Sequence, residues 1–134
     1  MDRVTKAIRS KIMASVHTRD TGAEKTVRSI AHGLGYRYSL ARKDLPGKPD
    51  LVFVSRRKVI FVHGCFWHGH TCKYGRLPKS RVGYWKPKIV ANMARDRKQV
   101  NGLRKTGWSV MIVWQCQLKK RPAVRARISR FMNG

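Results

Sequence analysis

The chain has 134 residues, of which 31 are lysine or arginine and six are acidic, leaving a formal net charge of +25. That length fits one compact domain, and such a charge selects a polyanionic partner, nucleic acid before any other. Hydrophobic residues make up 42%, with four Trp, four Tyr and four Phe, which excludes a disordered basic tail, and no apolar run approaches the roughly 20 residues of a membrane span.

No apolar leader follows Met1, so the expected compartment is the cytoplasm, on the nucleoid, with thiols reduced. Residues 1–20 are basic, with Val4, Ile8, Ile12 and Val16 four apart; they suit either a weakly amphipathic helix or an arm that orders on DNA, and one domain is expected over 21–134. Thr21-Gly22-Ala23-Glu24 spells a capping box. Val27, Ile30, Ala31 and Leu34 then recur on one helical face, predicting a helix from about Gly22 to Leu34. After a polar loop ending in Pro46-Gly47-Lys48-Pro49, the runs Asp50 to Val54 and Val59 to His63 read as a hairpin closed by Ser55 to Lys58. Pro87 and Gly107 bracket a second helix with Ile89, Met93, Val100 and Leu103 inward; Trp108 to Trp114 reads as a buried strand and Pro122 to Phe131 as a last helix. The order predicts a mixed α/β domain.

With six acids, the search for hard oxygen ligands is short. Asp50 opens an apolar strand directly after Pro49, and a hairpin loop of Ser55 to Lys58 would set it opposite His63 on one face. That pair is either catalytic or a loop cap beside an ordinary strand-end histidine. Glu24 has a competing structural use in the capping box, and Asp96, between Arg95 and Arg97, one as a solvated ion-pair partner.

His63, Cys65, His68, His70 and Cys72 crowd into one short segment. Cys65, His70 and Cys72 can fold around one ion, and Cys116, just past the last strand, supplies a fourth ligand, which would make a closed tetrahedral zinc site of structural type. The alternative is a set of free thiols, which the polarity of the loop disfavours. His63 and His68 remain for chemistry. Phe66 and Trp67 lie between two of these ligands, and Trp85 follows Tyr84 in a stretch rich in Arg76, Lys79, Arg81 and Lys86, expected as a loop. Aromatics among cations can stack on bases or pry a step apart, against the commoner fate of core packing. At least one of Phe66 and Trp67 should be exposed, since adjacent residues on a small loop cannot both enter one core.

Pro46 to Asp50, the run from Phe61 through Gly64-Cys65-Phe66-Trp67-His68 to His70 and Cys72, Arg95-Asp96-Arg97 and Val113-Trp114-Gln115-Cys116 together resemble the very short patch repair (Vsr) endonucleases. Arg9 to Met13 and Thr18 to Glu24 resemble the family's start, so the likeness covers nearly the whole chain. It implies a restriction-endonuclease-like core, with Asp50 and the Val62 backbone carbonyl holding magnesium. It also implies His68 as general base, His63 assisting at the phosphate, and Glu24 and Asp96 orienting water and histidine. Cys65, His70, Cys72 and Cys116 match the family's zinc ligands, and Met13, Phe66, Trp67 and Trp85 its duplex wedges. The implied activity is Mg2+-dependent nicking of one strand beside a T:G mispair in DNA repair, by a monomer working with other mismatch-repair proteins. Phe61-Val62-His63 stands where this fold's usual signature has an acid, any residue and a lysine, a departure the family shares. Val62 and Gln115 replace more polar residues, and Gly69 interrupts the histidine run. Two rival readings are a restriction-type nuclease cutting paired DNA and a non-catalytic zinc-stabilised DNA-binding module.

Overall fold

The computed structural model describes residues 22–40, 45–70, 72 and 81–134. The basic arm of residues 1–20 with Met13, Thr21 of the capping box, and Arg76 and Lys79 lie outside the described residues. Helix α1 (Gly22–Gly33) buries Val27 and Ala31, with Ile30 and Leu34 partly buried against the same core. It stops because Gly35 takes φ +89°. Gly35 N–H then donates to His32 and Tyr36 N–H to Ala31, the paired bonds of a Schellman ending that only a residue tolerant of left-handed backbone closes without strain.

Four strands follow in sheet order β1 (Ser39–Leu40), β2 (Leu51–Phe53), β3 (Lys58–His63) and β4 (Ser109–Trp114). The first two junctions are antiparallel and β3–β4 is parallel, its crossover carried by helix α2 (Val82–Lys105). Alternation along the strands divides the core into two layers. Leu51, Phe53, Ile60, Met111 and Val113 face α1 and the C-terminal helix α3 (Arg121–Asn133), while Val52, Val59 and Phe61 face Val100 and Leu103 of α2.

Three expectations are corrected. The hairpin pairs Leu51 with Ile60 and Phe53 with Lys58, so Asp50 falls opposite Phe61 by continuation and does not pair with His63. The turn keeps its expected length but lies one residue earlier, which is what moves the register: Val54–Arg56 forms a single 3-10 turn, Arg57 takes φ +53°, and Lys58 already belongs to β3. Lys58 is held there from its side chain. Only 8% exposed, it donates through Nζ to the carbonyls of Phe131, Met132 and Gly134 at 2.5, 3.1 and 2.9 Å, and with Arg56 Nη1, which reaches the Met132 carbonyl at 3.1 Å, it caps the end of α3 with cations where the helix dipole favours them.

Helix α2 begins at Val82, upstream of Pro87, so Trp85 is helical and not in a loop. Trp85 and Ile89 are both buried and anchor this first part of the helix, and the carbonyl that Pro87 cannot bond, that of Gly83, lies on an exposed residue where water serves. Finally, β4 is not uniformly buried: exposure alternates from Ser109 because β4 ends the sheet. No described helix is long and apolar enough to cross a membrane.

Replacing Lys58 by Met keeps the stem and removes the cation. The expected result is a loss of roughly 1–3 kcal/mol, read as a lower urea midpoint with an unchanged slope, because three helix-end carbonyls lose a charged donor. An unchanged midpoint would show that water caps α3 equally well.

Candidate active site and metal centre

The parallel junction brings the site together. Lys58 pairs with Ser109 and His63 with Trp114, a constant offset that also sets Cys65 beside Cys116 just beyond the ladder. Cys116 N–H points at Cys65 Sγ (3.4 Å), and Cys116 Sγ lies 3.5 Å from His70 Nδ1. With Cys72 these ligand atoms all fall within 4.8 Å of one another, so the expected Cys/His cluster is assembled and could bind a metal ion. Burial pushes the Cys65 thiol up to about 12, with Cys72 and Cys116 adding to the shift against the Cys116 N–H, and burial also raises Cys116. Packed thiols of this kind resist ionisation until a cation replaces their protons, which is what a thiolate metal centre supplies.

Between the ligands the chain makes one tight turn. Gly69 N–H donates to Phe66 and His70 N–H to Cys65, while Gly69 takes φ +64° and sits so close to α2 that a Cβ there would come within 2.5 Å of Met93 Sδ. Gly69 is therefore required twice, by its backbone and by its neighbour. The turn throws His68 and His70 apart: His70 stacks on Trp114 at 4.1 Å, and His68 Nδ1 meets Asp96 Oδ2 at 2.6 Å.

His68 also lies flat on His63, centroids 3.8 Å apart and planes within 4°. His63 is 5% exposed, and burial pulls its pKa down to about 4, His68 adding to the shift and Asp96 opposing it, so His63 is neutral at physiological pH. With Nδ1 of His68 committed to Asp96, its Nε2 is the nitrogen left to accept a proton.

Asp50 lies on the other side of β3. Its Oδ2 accepts the Val62 N–H at 2.6 Å, and its carboxyl hydrogen-bonds that of Glu24, which also takes Arg28 Nη2 at 3.4 Å. Burial pushes Asp50 up to about 7; the Val62 N–H opposes this, Glu24 adds to it and Arg28 opposes it. Glu24 thus does more than serve α1: two acids share one place at the strand ends, a donor set that suits a hard divalent cation. A residue's N–H and C=O leave the same edge of a strand, so the Val62 carbonyl faces this place beyond the last rung at Leu51 and Ile60.

Phe66, Trp67 and Trp85 form one edge-on cluster, with centroids 5.4, 5.4 and 6.0 Å apart. Neither Phe66 nor Trp67 is fully exposed, against expectation: both are half-buried because each packs on Trp85, which is 5% exposed. Sequence reasoning assigned Trp114 to the core and missed its contacts with His63, His68 and His70. The signal was present: Trp114 precedes Cys116 by the same two residues by which His63 precedes Cys65.

A sequence profile described as DNA mismatch endonuclease Vsr matches residues 1–74, more than half of the chain. The chain belongs to the Vsr endonuclease family. The type II nicking enzyme V.XorIIP of Xanthomonas oryzae pv. oryzae is 52% identical over 132 residues, spanning 98% of this chain and 97% of that protein. The DNA mismatch endonuclease Vsr of Escherichia coli is 45% identical over 116 residues, spanning 87% and 74%. The catalytic domain of the homing endonuclease I-Bth0305I superposes with a TM-score of 0.58 at 16% identity, over 84% of this chain and 94% of that one, which places the fold among restriction-endonuclease-like cores. The protein is a DNA endonuclease of the Vsr family, and its enzyme class implies a divalent metal.

An acid whose folded pKa is raised carries its proton in the folded state between about pH 4 and 7, where the unfolded chain has released it. Stability of the metal-free protein should therefore fall as pH rises through that window. Asp50→Asn, which retains an acceptor for the Val62 N–H, should raise unfolding free energy at pH 8 by a few kcal/mol at most, about the size of a shift of this magnitude. Denaturant unfolding of both proteins at pH 5 and pH 8 checks it; a variant no more stable than the parent at pH 8 contradicts the buried-acid assignment.

Proposed function

We propose that this enzyme hydrolyses one phosphodiester of duplex DNA beside a T:G mispair, with Mg2+ as its catalytic metal and a structural Zn2+ in the Cys/His cluster. The observation that carries the hydrolytic reading is the His68–Asp96 bond at 2.6 Å beside the Asp50–Glu24 pair at the same end of the sheet. Asp50 and the Val62 carbonyl would hold magnesium, which supplies Lewis-acid polarisation of the scissile phosphate when bound. His68 accepts the proton of the attacking water through Nε2, Asp96 orients it and stabilises the charge it gains, and the neutral ring of His63 fixes its plane and assists at the phosphate. Glu24 keeps the water beside Asp50. The names of the relatives as nicking enzymes and a mismatch endonuclease support single-strand cutting at mispairs.

Cys65, His70, Cys72 and Cys116 suit zinc because three soft thiolates and an imidazole fill a tetrahedron and leave no position for water. Discrimination between paired and mispaired DNA cannot come from charge, which binds any phosphate backbone. It is assigned to Phe66 and Trp67, backed by Trp85, with Met13 from the arm: unstacking a step costs a few kcal/mol and least at a mismatch. Duplex DNA carrying a mismatch is the partner, and the enzyme acts as a monomer alongside other mismatch-repair proteins, on the nucleoid.

A nicking assay with T:G and T:A duplexes in Mg2+ tests the whole reading. The mispaired duplex should be nicked on one strand and the paired one spared, with Asp50→Ala and His68→Ala each losing at least about a hundredfold in rate while still binding DNA. Equal cutting of the paired duplex would mark a restriction-type enzyme, and binding without cutting a silent module. Phe66→Ala or Trp67→Ala should narrow the T:G preference more than it weakens binding to paired DNA; equal loss for both duplexes would make these rings packing residues. For the metal centre, Cys116→Ser should lower the melting temperature and abolish retention of one zinc per chain by elemental analysis, and a purified parent protein without zinc would refute that assignment.

A further inference from the structure

Two open cavities adjoin along the β4 edge of the sheet. One, of about 340 Å³, begins at His68 and Asp96 and runs between α2 and β4 to Arg104; the other, of about 460 Å³, begins at Arg104 and Ile112 and turns around the β4 edge to Arg127 and Arg130. Because Arg104 and Ile112 line both, they form one groove that leaves the His68–Asp96 pair. Its floor is apolar, made by Met93, Val100, Ile112 and Trp114. Its rim is cationic.

Arg97, Asn101 and Arg104 stand at i, i+4 and i+7 on one face of α2, and α3 supplies Arg127 and Arg130 from the opposite wall. Arg127 is oriented by Gln117 Oε1 at 2.8 Å, while Arg97, Arg104 and Arg130 make no ion pair among the described residues. Among the described residues Asp96 is the one acid in the lining, and it is engaged by His68. β4 ends the sheet, so among the described residues no further strand closes this side.

Cations beside a free strand edge can simply discourage self-association. That explanation accounts for Arg127 and Arg130 but not for Arg97 and Asn101, which line the groove where it meets the hydrolytic histidine. We infer that the groove seats the DNA strand on one side of the scissile phosphate, with phosphates on Arg97, Arg104 and Arg130 and sugars against the apolar floor. The inference rests on the endonuclease reading of His68 and Asp96. From Arg97 to Arg104 the helix rises about 10 Å, on the order of three base steps, which sets the length of strand held.

Equilibrium binding of the full chain to a mispaired duplex without divalent metal, across a salt series, tests it independently of hydrolysis. Arg97→Ala, Arg104→Ala and Arg130→Ala should each weaken binding about 3- to 10-fold and lower the salt slope by about 0.9 for each phosphate no longer neutralised. Phosphate-ethylation interference should disappear within a few nucleotides on one side of the cut only. Asn101→Trp, which keeps every charge but fills the groove, should also weaken binding. Arg125→Ala, exposed on α3 and outside the groove, serves as control. If the groove variants behave as Arg125→Ala does, or the interference pattern is unchanged, the strand does not run here and the arginines only guard the edge. Wild-type nicking by His68→Ala would overturn the hydrolytic assignment instead, leaving the binding result to stand by itself.

Discussion

The parallel pairing of β3 with β4 is the constraint on which the site depends. Its fixed offset places His63 beside Trp114 and Cys65 beside Cys116, residues far apart in the chain, at one end of two adjacent strands. A parallel pair needs a crossover, here α2, and that helix returns over the same face carrying Asp96 to His68. One register therefore aligns the histidine stack and the thiol cluster together. A slip of one residue along β4 would part both.

Two environments result, divided by β3. On the α1 side Asp50 and Glu24 share a buried place in which burial keeps the carboxyl of Asp50 reluctant to ionise; on the α2 side a neutral His63 supports a His68 tied to Asp96. The Asp50–Glu24 pair and the His68–Asp96 pair are thus kept apart. The buried acids cost stability in the metal-free protein, and a bound divalent cation offsets that cost, a division of labour expected where function competes with folding.

The thiol cluster acts at a distance from the chemistry but stands next to it mechanically. The turn from Gly64 to His70 is pinned at Cys65 and His70 and pressed on α2 at Gly69, and this same turn carries His68, Phe66 and Trp67. A structural ion there would hold His68 and the aromatic cluster in one rigid piece, so that the ring cluster and the histidine move together or not at all.

The sequence by itself determined the composition of the site: a scarcity of acids that singled out Asp50, a density of His and Cys between His63 and Cys72, and a charge that demanded a polyanion. It also determined the α1 and β3 periodicities, because burial on one face leaves a pattern that local spacing records. What it could not determine was register. Whether Asp50 meets His63 or the Val62 N–H depends on where the hairpin turns, and that depends on Lys58 finding the end of α3, a contact far along the chain. The early start of α2 was hidden for the same reason: Pro87 argues locally for a helix beginning there, and only the burial of Trp85 against the turn that carries Phe66 and Trp67 overrules it. Chemistry is legible in residue types, whereas distances are set by long-range packing, which no local pattern encodes.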